Sequence, residues 1–186
     1  MRRPRPFRPR SPAPISPGSR LEHLWSPWRL AYITGASQSA GCVFCRAVSD
    51  PEAGALIVHR GATCFVILNL FPYNNGHLMV IPNRHIASLS SATADELGEL
   101  IELTRRCEAV LTEAYGPHGM NMGINLGKPA GAGVLDHVHM HVVPRWNGDT
   151  NFMTVTAGTR VLAEELTDTA ARLRPLFEKL AADHAG

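Results

Sequence analysis

Residues 135–146, LDHVHMHVVPRW, place histidines at positions 137, 139 and 141 with one apolar residue between each pair. On a β-strand the side chains alternate between faces, so the three imidazoles would share one face. On a helix the same spacing would rotate each ring by about 200° from the last and scatter them. Three imidazoles on a half-buried face cost desolvation free energy unless each has a partner or a function. The stretch therefore predicts a strand over 137–145 with a functional row of histidines.

The rest of the chain supplies the other elements of a small sheet. Short apolar segments bounded by Gly, Pro or Asn predict strands at 55–60, 63–70, 76–82 and 120–126. Thr93, with Glu96 three residues later, predicts a capping box at the start of a long helix that ends at Gly116. A second helical stretch over 161–182 contains Pro175, which predicts a kink or a split. The predicted fold is α+β, with an antiparallel sheet of about five strands, one long helix and a C-terminal helical segment.

Length and charge define the domain organisation. The 186 residues suit one domain over 21–186, with a core at about 40–145 and an extension at 146–186. Residues 1–20 carry six Arg, six Pro and no acid, which predicts a disordered tail. An organelle transit peptide or a nucleic-acid-binding arm has the same composition. No apolar run approaches the ~20 residues that cross a bilayer, so no membrane partner is expected.

The four cysteines divide into two kinds. Cys64 and Cys107 lie in apolar patterns and are predicted to be buried thiols. Cys42 and Cys45 form a C-x-x-C, which is a metal half-site, a redox pair or a coincidence. The lack of a secretory signal, together with free thiols, predicts a cytoplasmic protein.

The stretch His-Val-His-Met-His-Val-Val at 137–143 resembles the signature of the histidine triad (HIT) superfamily of nucleotide-binding proteins. NLFPYNNGHLMVIPNRHIASL and NMGINLGKPAGAG resemble that family's ribose-binding strand and its phosphate loop. The flanks LEHLWSPWR and VVPRWNGDTNF resemble the bacterial branch that includes diadenosine tetraphosphate phosphorylases.

The resemblance implies roles for individual residues. His139 would be the nucleophile, with its far nitrogen held by a carbonyl, and His141 would stabilise phosphoryl oxygens and help to protonate the leaving group. Asn69 stands where related proteins bind ribose with an acidic residue. The adenine-pocket candidates are Ile67, Leu68 and Leu70, and the polyphosphate candidates are Asn125, Lys128, Gly131 and Gly133. Ordinary strand core and a strand-end turn are the structural alternatives for the aliphatic residues and for Asn125.

The same resemblance implies a structural zinc site and a pairing of subunits. Its ligands would be Cys42, Cys45, His85 and the first triad histidine, His137. Triad proteins commonly form homodimers, and the long helix from Thr93 could lie at that interface. No specific nucleic-acid partner is expected.

The implied function is nucleotidyl transfer from a dinucleoside polyphosphate, diadenosine tetraphosphate above all, through a covalent intermediate on His139 with phosphate as acceptor. A hydrolase of the same substrate and a nucleoside phosphoramidase are alternatives within the same chemistry. A nonenzymatic, zinc-stabilised nucleotide-binding module is the alternative of another class. Gly133 and Val134 occupy positions where many triad proteins carry a polar side chain, so the substrate itself is left open.

Overall fold

A computed structural model describes residues 41–149 and 164–183 of the chain. Its helices are α1 (Val43–Ser49), α2 (Ala94–Tyr115) and α3 (Leu166–Asp183), and its strands are β1 (Ile57–Arg60), β2 (Cys64–Leu68), β3 (Leu78–Pro82), β4 (Gly119–Ile124) and β5 (Met140–Arg145). The strands form one antiparallel sheet in the order β1-β2-β3-β5-β4. The predicted α+β fold with a five-stranded antiparallel sheet is confirmed.

Some of the predictions lie outside the described residues. These are the disordered tail at 1–20, the flank LEHLWSPWR and the beginning of the second helical stretch at 161. Within the described part, no helix is long and apolar enough to cross a membrane.

Helix α2 begins and ends as its sequence predicts. The Thr93 side chain accepts a hydrogen bond from the Glu96 amide, and the Glu96 carboxylate accepts one from the Thr93 amide. Gly116 ends the helix in the left-handed conformation, with φ of 54°, which glycine adopts without a Cβ clash. These local signals therefore determine the ends of the longest helix.

The central strands β2 and β3 are buried on both faces of the sheet. One face packs against α2 and α3 through a cluster that includes Val66, Leu68, Leu78, Val80, Leu103, Cys107, Leu111, Leu173 and Phe177. The other face packs against α1 through Phe44, Ala47, Ile57, Phe65, Ile67, Met79 and Ile81. Cys64 and Cys107 are fully buried, as predicted. The side of the sheet that packs against α2 and α3 is the helix face, and the side that packs against α1 is the α1 face.

Strand β5 begins three residues later than predicted. The ladder with β3 ends at the pair Val80–Met140, and His137 and His139 precede it. The backbone amide of Val138 donates instead to the carbonyl of Ile86, 2.7 Å away, in the segment that follows β3. His141 pairs with Met79 and therefore lies on the α1 face.

Helix α3 is a single helix across Pro175, so the predicted split does not occur. Leu173 and Phe177, on either side of the proline, are fully buried in the core and hold both halves against the sheet. The Arg174 guanidinium also donates to the carbonyls of Ala55 and Ile57 at β1. Tertiary packing outweighs the one helical hydrogen bond that proline removes.

Candidate functional site

Two cysteines and two histidines from distant parts of the chain form a cluster beside the sheet. The ligand atoms of Cys42, Cys45, His85 and His137 all lie within 4.8 Å of one another. Sγ of Cys42 is 3.3 Å from Nδ1 of His137, and Sγ of Cys45 is 3.6 Å from the same nitrogen and 3.4 Å from Nδ1 of His85. A tetrahedral zinc ion separates sulfur and nitrogen ligands by about 3.6 Å. The four predicted ligands are thus arranged to bind a metal ion, which we call the metal cluster.

The hydrogen bonds of His137 define which ring nitrogen faces the cluster. Its ring is fully buried, and Nε2 lies 2.9 Å from the Pro82 carbonyl. A carbonyl oxygen only accepts, so Nε2 carries the hydrogen and donates it. The neutral ring then presents the lone pair of Nδ1 to the two thiols. This is the tautomer that a metal ligand needs.

His139 is held in the opposite tautomer by its own neighbour. Its Nδ1 donates to the His137 carbonyl at 2.9 Å, so the neutral ring has no hydrogen on Nε2. The resemblance predicts a carbonyl acceptor of this kind. Burial lowers the pKa of His139, while this hydrogen bond partly opposes the shift. Near neutral pH the ring is therefore uncharged, with a lone pair on Nε2, which is the form that a nucleophile requires.

A histidine outside the triad, His77, orients His141. Nδ1 of His77 accepts a hydrogen bond from the backbone amide of Tyr73 at 3.0 Å. The side-chain nitrogen Nδ2 of Asn69 lies 3.4 Å from the same atom. The hydrogen of His77 is therefore on Nε2, which donates to Nδ1 of His141 over 2.9 Å. His141 in turn carries its hydrogen on Nε2. We call the hydrogen bonds from Tyr73 through His77 to His141 the relay. His139 and His141 are complementary, because Nε2 of His139 can accept a hydrogen bond and Nε2 of His141 can donate one.

The rings of His139 and His141 are direct neighbours, with centroids 4.8 Å apart. Burial, followed by the charge of the neighbouring His139, lowers the pKa of His141 to about 4. His141 is thus uncharged near neutral pH. It can act as a hydrogen-bond donor toward an anionic oxygen without carrying a full charge of its own.

A pocket of about 220 Å³ opens next to His141. Its walls come from the α1 face of β4 and β5 and from the loop before β3, and they are Tyr73, Asn121, Met122, Gly123, Asn125, His141, Val143 and Arg145. Tyr73 is 43% exposed, and its ring is stacked on His141 at 5.7 Å. The Arg145 guanidinium donates to the Asp149 carboxylate and to the Asn121 side chain. The pocket therefore offers an aromatic wall, amides and a paired guanidinium.

The predicted nucleoside residues separate because side chains alternate along β2. Ile67 lies on the α1 face, the face of His141, and Asn69 follows with the same alternation. Leu68 lies on the helix face, 1% exposed in the core, so the structure does not bring it to the site. Leu70 is 60% exposed beyond the end of the strand.

The predicted phosphate loop follows β4. Asn125 reaches the wall of the pocket, whereas Lys128, Gly131 and Gly133 are exposed on the loop. Gly127 and Gly131 have φ of 81° and 91°, which favours glycine at both positions. The amides of Ala130, Gly131 and Ala132 donate to carbonyls of the loop itself. The loop is thus a rigid turn beside the pocket, and those three amides have partners within it.

Sequence reasoning assigned no role to three residues that contact the histidines. His77 orients His141, and the ring of Tyr73 is stacked on His141 and lies tilted against His77. Phe44 lies against His137 and His139, with ring centroids at 5.5 and 5.1 Å. His77 lies two residues before Met79 and so faces the same side of the sheet, and Met79 pairs with His141. The pairing of β3 with β5 would therefore have indicated that His77 lies near His141. Phe44 stands between the two cysteines of the C-x-x-C, which was the signal for its proximity.

Residues 50–148 match the model of the HIT domain, which covers the sheet, α2 and all three triad histidines. The chain belongs to the HIT domain family. The resemblance of the triad and its flanking strands to this family is therefore confirmed.

Relatives within the HIT family have named activities and bound metal. The chain is 40% identical over 157 residues to an AP-4-A phosphorylase of Mycobacterium tuberculosis, and the match covers 80% of each chain. It is 33% identical over 96 residues to an asymmetrical bis(5'-nucleosyl)-tetraphosphatase of Schizosaccharomyces pombe, over 52% of each chain. A Zn-bound histidine triad protein of Mycobacterium smegmatis superposes with a TM-score of 0.63 at 28% identity, over 77% of this chain and 97% of that one. The two named activities are enzymatic, in agreement with the prediction of an enzyme.

Proposed function

We propose that this HIT protein transfers an adenylyl group from diadenosine tetraphosphate to inorganic phosphate, forming ATP and ADP. The observation that carries the proposal is the pair of complementary histidines, with a bare Nε2 on His139 and an Nε2–H on His141. The 40% identity to an AP-4-A phosphorylase supports the substrate and the acceptor. Both histidines lie within residues 50–148, which match the family model.

The proposed reaction has two displacements. The lone pair on Nε2 of His139 attacks the α-phosphorus, a nitrogen–phosphorus bond forms, and the bond to the bridging oxygen breaks so that ATP leaves with the electron pair. A phosphate oxygen then attacks the same phosphorus, ADP forms, and the electron pair returns to Nε2. His141 donates its Nε2–H to the oxygens that gain charge in each step. The far hydrogen of His139 stays on Nδ1, held by the His137 carbonyl.

The nucleotide is proposed to bind across the α1 face of the sheet. In this proposal Asn69 contacts the ribose, Ile67 lies beneath the base, and Leu70, which is exposed, lies at the edge of the base. The polyphosphate is proposed to run past Asn125 in the pocket wall and along the adjacent loop, which carries Lys128, Gly131 and Gly133. Leu68 is left out because it lies on the other face.

Product analysis tests the acceptor. With labelled inorganic phosphate and diadenosine tetraphosphate, we expect ATP and ADP in equal amounts, with the label at the β-phosphorus of ADP. ATP and unlabelled AMP with phosphate present would instead assign a hydrolase. Absence of turnover, together with cleavage of an adenosine phosphoramidate, would assign a phosphoramidase. Binding of nucleotide without any turnover would leave a binding module.

We also propose that the metal cluster binds one zinc ion. Two thiols and two imidazoles are a preferred tetrahedral ligand set, and the distances between ligand atoms fit it. The Zn-bound relative supports the choice of metal. Such a closed site joins α1, the loop after β3 and the triad, and performs no bond-making chemistry itself. A homodimer and a cytoplasmic location stay predictions, which light scattering and cell fractionation would test.

The acid limb of the pH–rate profile should lie below the ordinary histidine pKa, because the pKa values of both His139 and His141 are lowered by burial. Protonation of Nδ1 of His141 would break the hydrogen bond from His77, so the relay works only above the pKa of His141, which is about 4. Protonation of Nε2 on His139, whose pKa burial also lowers, would remove the attacking lone pair. We therefore expect kcat/KM for diadenosine tetraphosphate to be at its plateau at neutral pH and its acid limb to be centred below 6.5, where the first of the two histidines is protonated. Zinc content measured at each pH separates metal loss from titration. A fall centred near pH 6.5 with zinc retained would contradict this assignment.

A further inference from the structure

One residue, His137, connects the metal cluster to the proposed nucleophile. Its ring nitrogen Nδ1 faces Cys42 at 3.3 Å, while its backbone carbonyl accepts the hydrogen of His139 Nδ1 at 2.9 Å. Its Nε2 donates to the Pro82 carbonyl, and the ring is fully buried. The side chain of His137 thus faces the cluster and its main-chain carbonyl holds the nucleophile, so a displacement of the His137 backbone moves both.

A second connection runs through Phe44. The residue lies on α1 between the two cluster cysteines and is 6% exposed. Its ring meets His137 edge-on, at 86° and 5.5 Å, and lies against His139 at 5.1 Å. Because α1 has only seven residues, it depends on tertiary attachments to hold its place. The cluster supplies two of these attachments, through Cys42 at the helix cap and Cys45 one turn later.

We propose that occupation of the metal cluster sets the tautomer and the orientation of His139, with Phe44 as the positioning residue. A neutral imidazole carries its hydrogen on either nitrogen, and the His137 carbonyl selects Nδ1 only while it faces His139. The ring of Phe44, with its centroid 5.1 Å from that of His139, restricts rotation of the imidazole. The metal site then does more than stabilise a loop, because it maintains the unprotonated Nε2 of His139 that the reaction uses. The inference rests on His139 being the nucleophile and does not depend on the identity of the substrate.

The decisive measurement is the hydrogen position on His139, read from the nitrogen resonances of ¹⁵N-histidine-labelled full-length protein. His139 is assigned by the signal that disappears in His139→Asn. With one zinc ion per chain, we expect a single tautomer with hydrogen on Nδ1. After zinc removal with a chelator, we expect a mixture of both tautomers, which returns to one when zinc alone is added back. An unchanged single tautomer after complete zinc removal would overturn the inference.

The variant Phe44→Leu tests the connection through Phe44 and leaves the four metal-cluster residues unchanged. It remains informative if chelation unfolds the protein. It keeps an apolar side chain of similar volume but removes the ring that faces His139. We expect full zinc content, a mixed tautomer at His139 and a fall in kcat of about tenfold with KM within about twofold. The matched control is Phe65→Leu, which removes a ring from the same core cluster. Equal effects of the two variants on the tautomer, or none from Phe44→Leu, would overturn the role of Phe44.

The outcomes separate this inference from the proposed function. A tautomer that follows zinc in a protein that does not turn over diadenosine tetraphosphate would support the positioning and remove the function. Full turnover with a tautomer indifferent to zinc would support the function and remove the positioning.

Discussion

Replacing His139 with asparagine is expected to abolish turnover of diadenosine tetraphosphate, with a fall in kcat of about 10⁴-fold or more. The asparagine amide can still donate to the His137 carbonyl, which the imidazole Nδ1 does at 2.9 Å in the native protein. It has no nitrogen lone pair with which to attack phosphorus. The substitution therefore removes the nucleophile while keeping the hydrogen bond that holds it, and nucleotide affinity should stay within about threefold.

Two measurements distinguish a lost nucleophile from a damaged fold. Rapid quenching of the native protein with substrate in the absence of phosphate should show a chain heavier by one adenylyl group, and the variant should show none. Calorimetric titration with ADP should give similar affinities for both. His118→Asn is the matched control, because His118 is an exposed histidine whose ring accepts from the Asn147 amide, outside the pocket wall. A His139→Asn variant that retains more than a tenth of the native kcat would rule out the covalent mechanism.

How much of this site the sequence predicts depends on the range of the interactions. The ends of α2 are predictable because Thr93, Glu96 and Gly116 act on backbone groups within a few residues. Alternation along a strand is equally local, and it could have placed Leu68 away from the site once Ile67 was assigned to the α1 face. The triad is recognisable for the same reason, since its three histidines lie within five consecutive positions.

Contacts between segments that are far apart in the sequence cannot be predicted from local patterns. His77 reaches His141 only because β3 pairs with β5, and these strands are separated in the chain by α2 and β4. The meeting of Cys45 with His85 and His137 depends on the same topology, and the sequence suggested it through family resemblance rather than through spacing. The start of β5 at Met140 also depends on pairing, since its ladders with β3 and with β4 both end at that residue. Register between non-adjacent strands is a property of the whole fold, which local patterns do not encode.

The second large effect is expected on removal of the metal-binding thiols. Replacing both Cys42 and Cys45 with serine should reduce bound zinc from one ion per chain to none and lower Tm by about 10 °C. A metal present at 100 to 1,000 times its Kd stabilises the folded state by about 3 to 4 kcal/mol. For a chain of this length about 1 kcal/mol corresponds to 2–4 °C.

Elemental analysis and calorimetry with a chelator test both parts of this expectation. The chelator should lower Tm of the native protein to that of the double variant and should leave the variant unchanged, since stabilisation by a ligand exists only where the ligand binds. Cys107→Ala is the matched control, because Cys107 is fully buried in the helix-face cluster away from the metal cluster. It should lower Tm slightly through the lost packing and keep its zinc. Native protein purified without zinc, or a double variant with unchanged Tm, would show that the four residues do not form a stabilising zinc site.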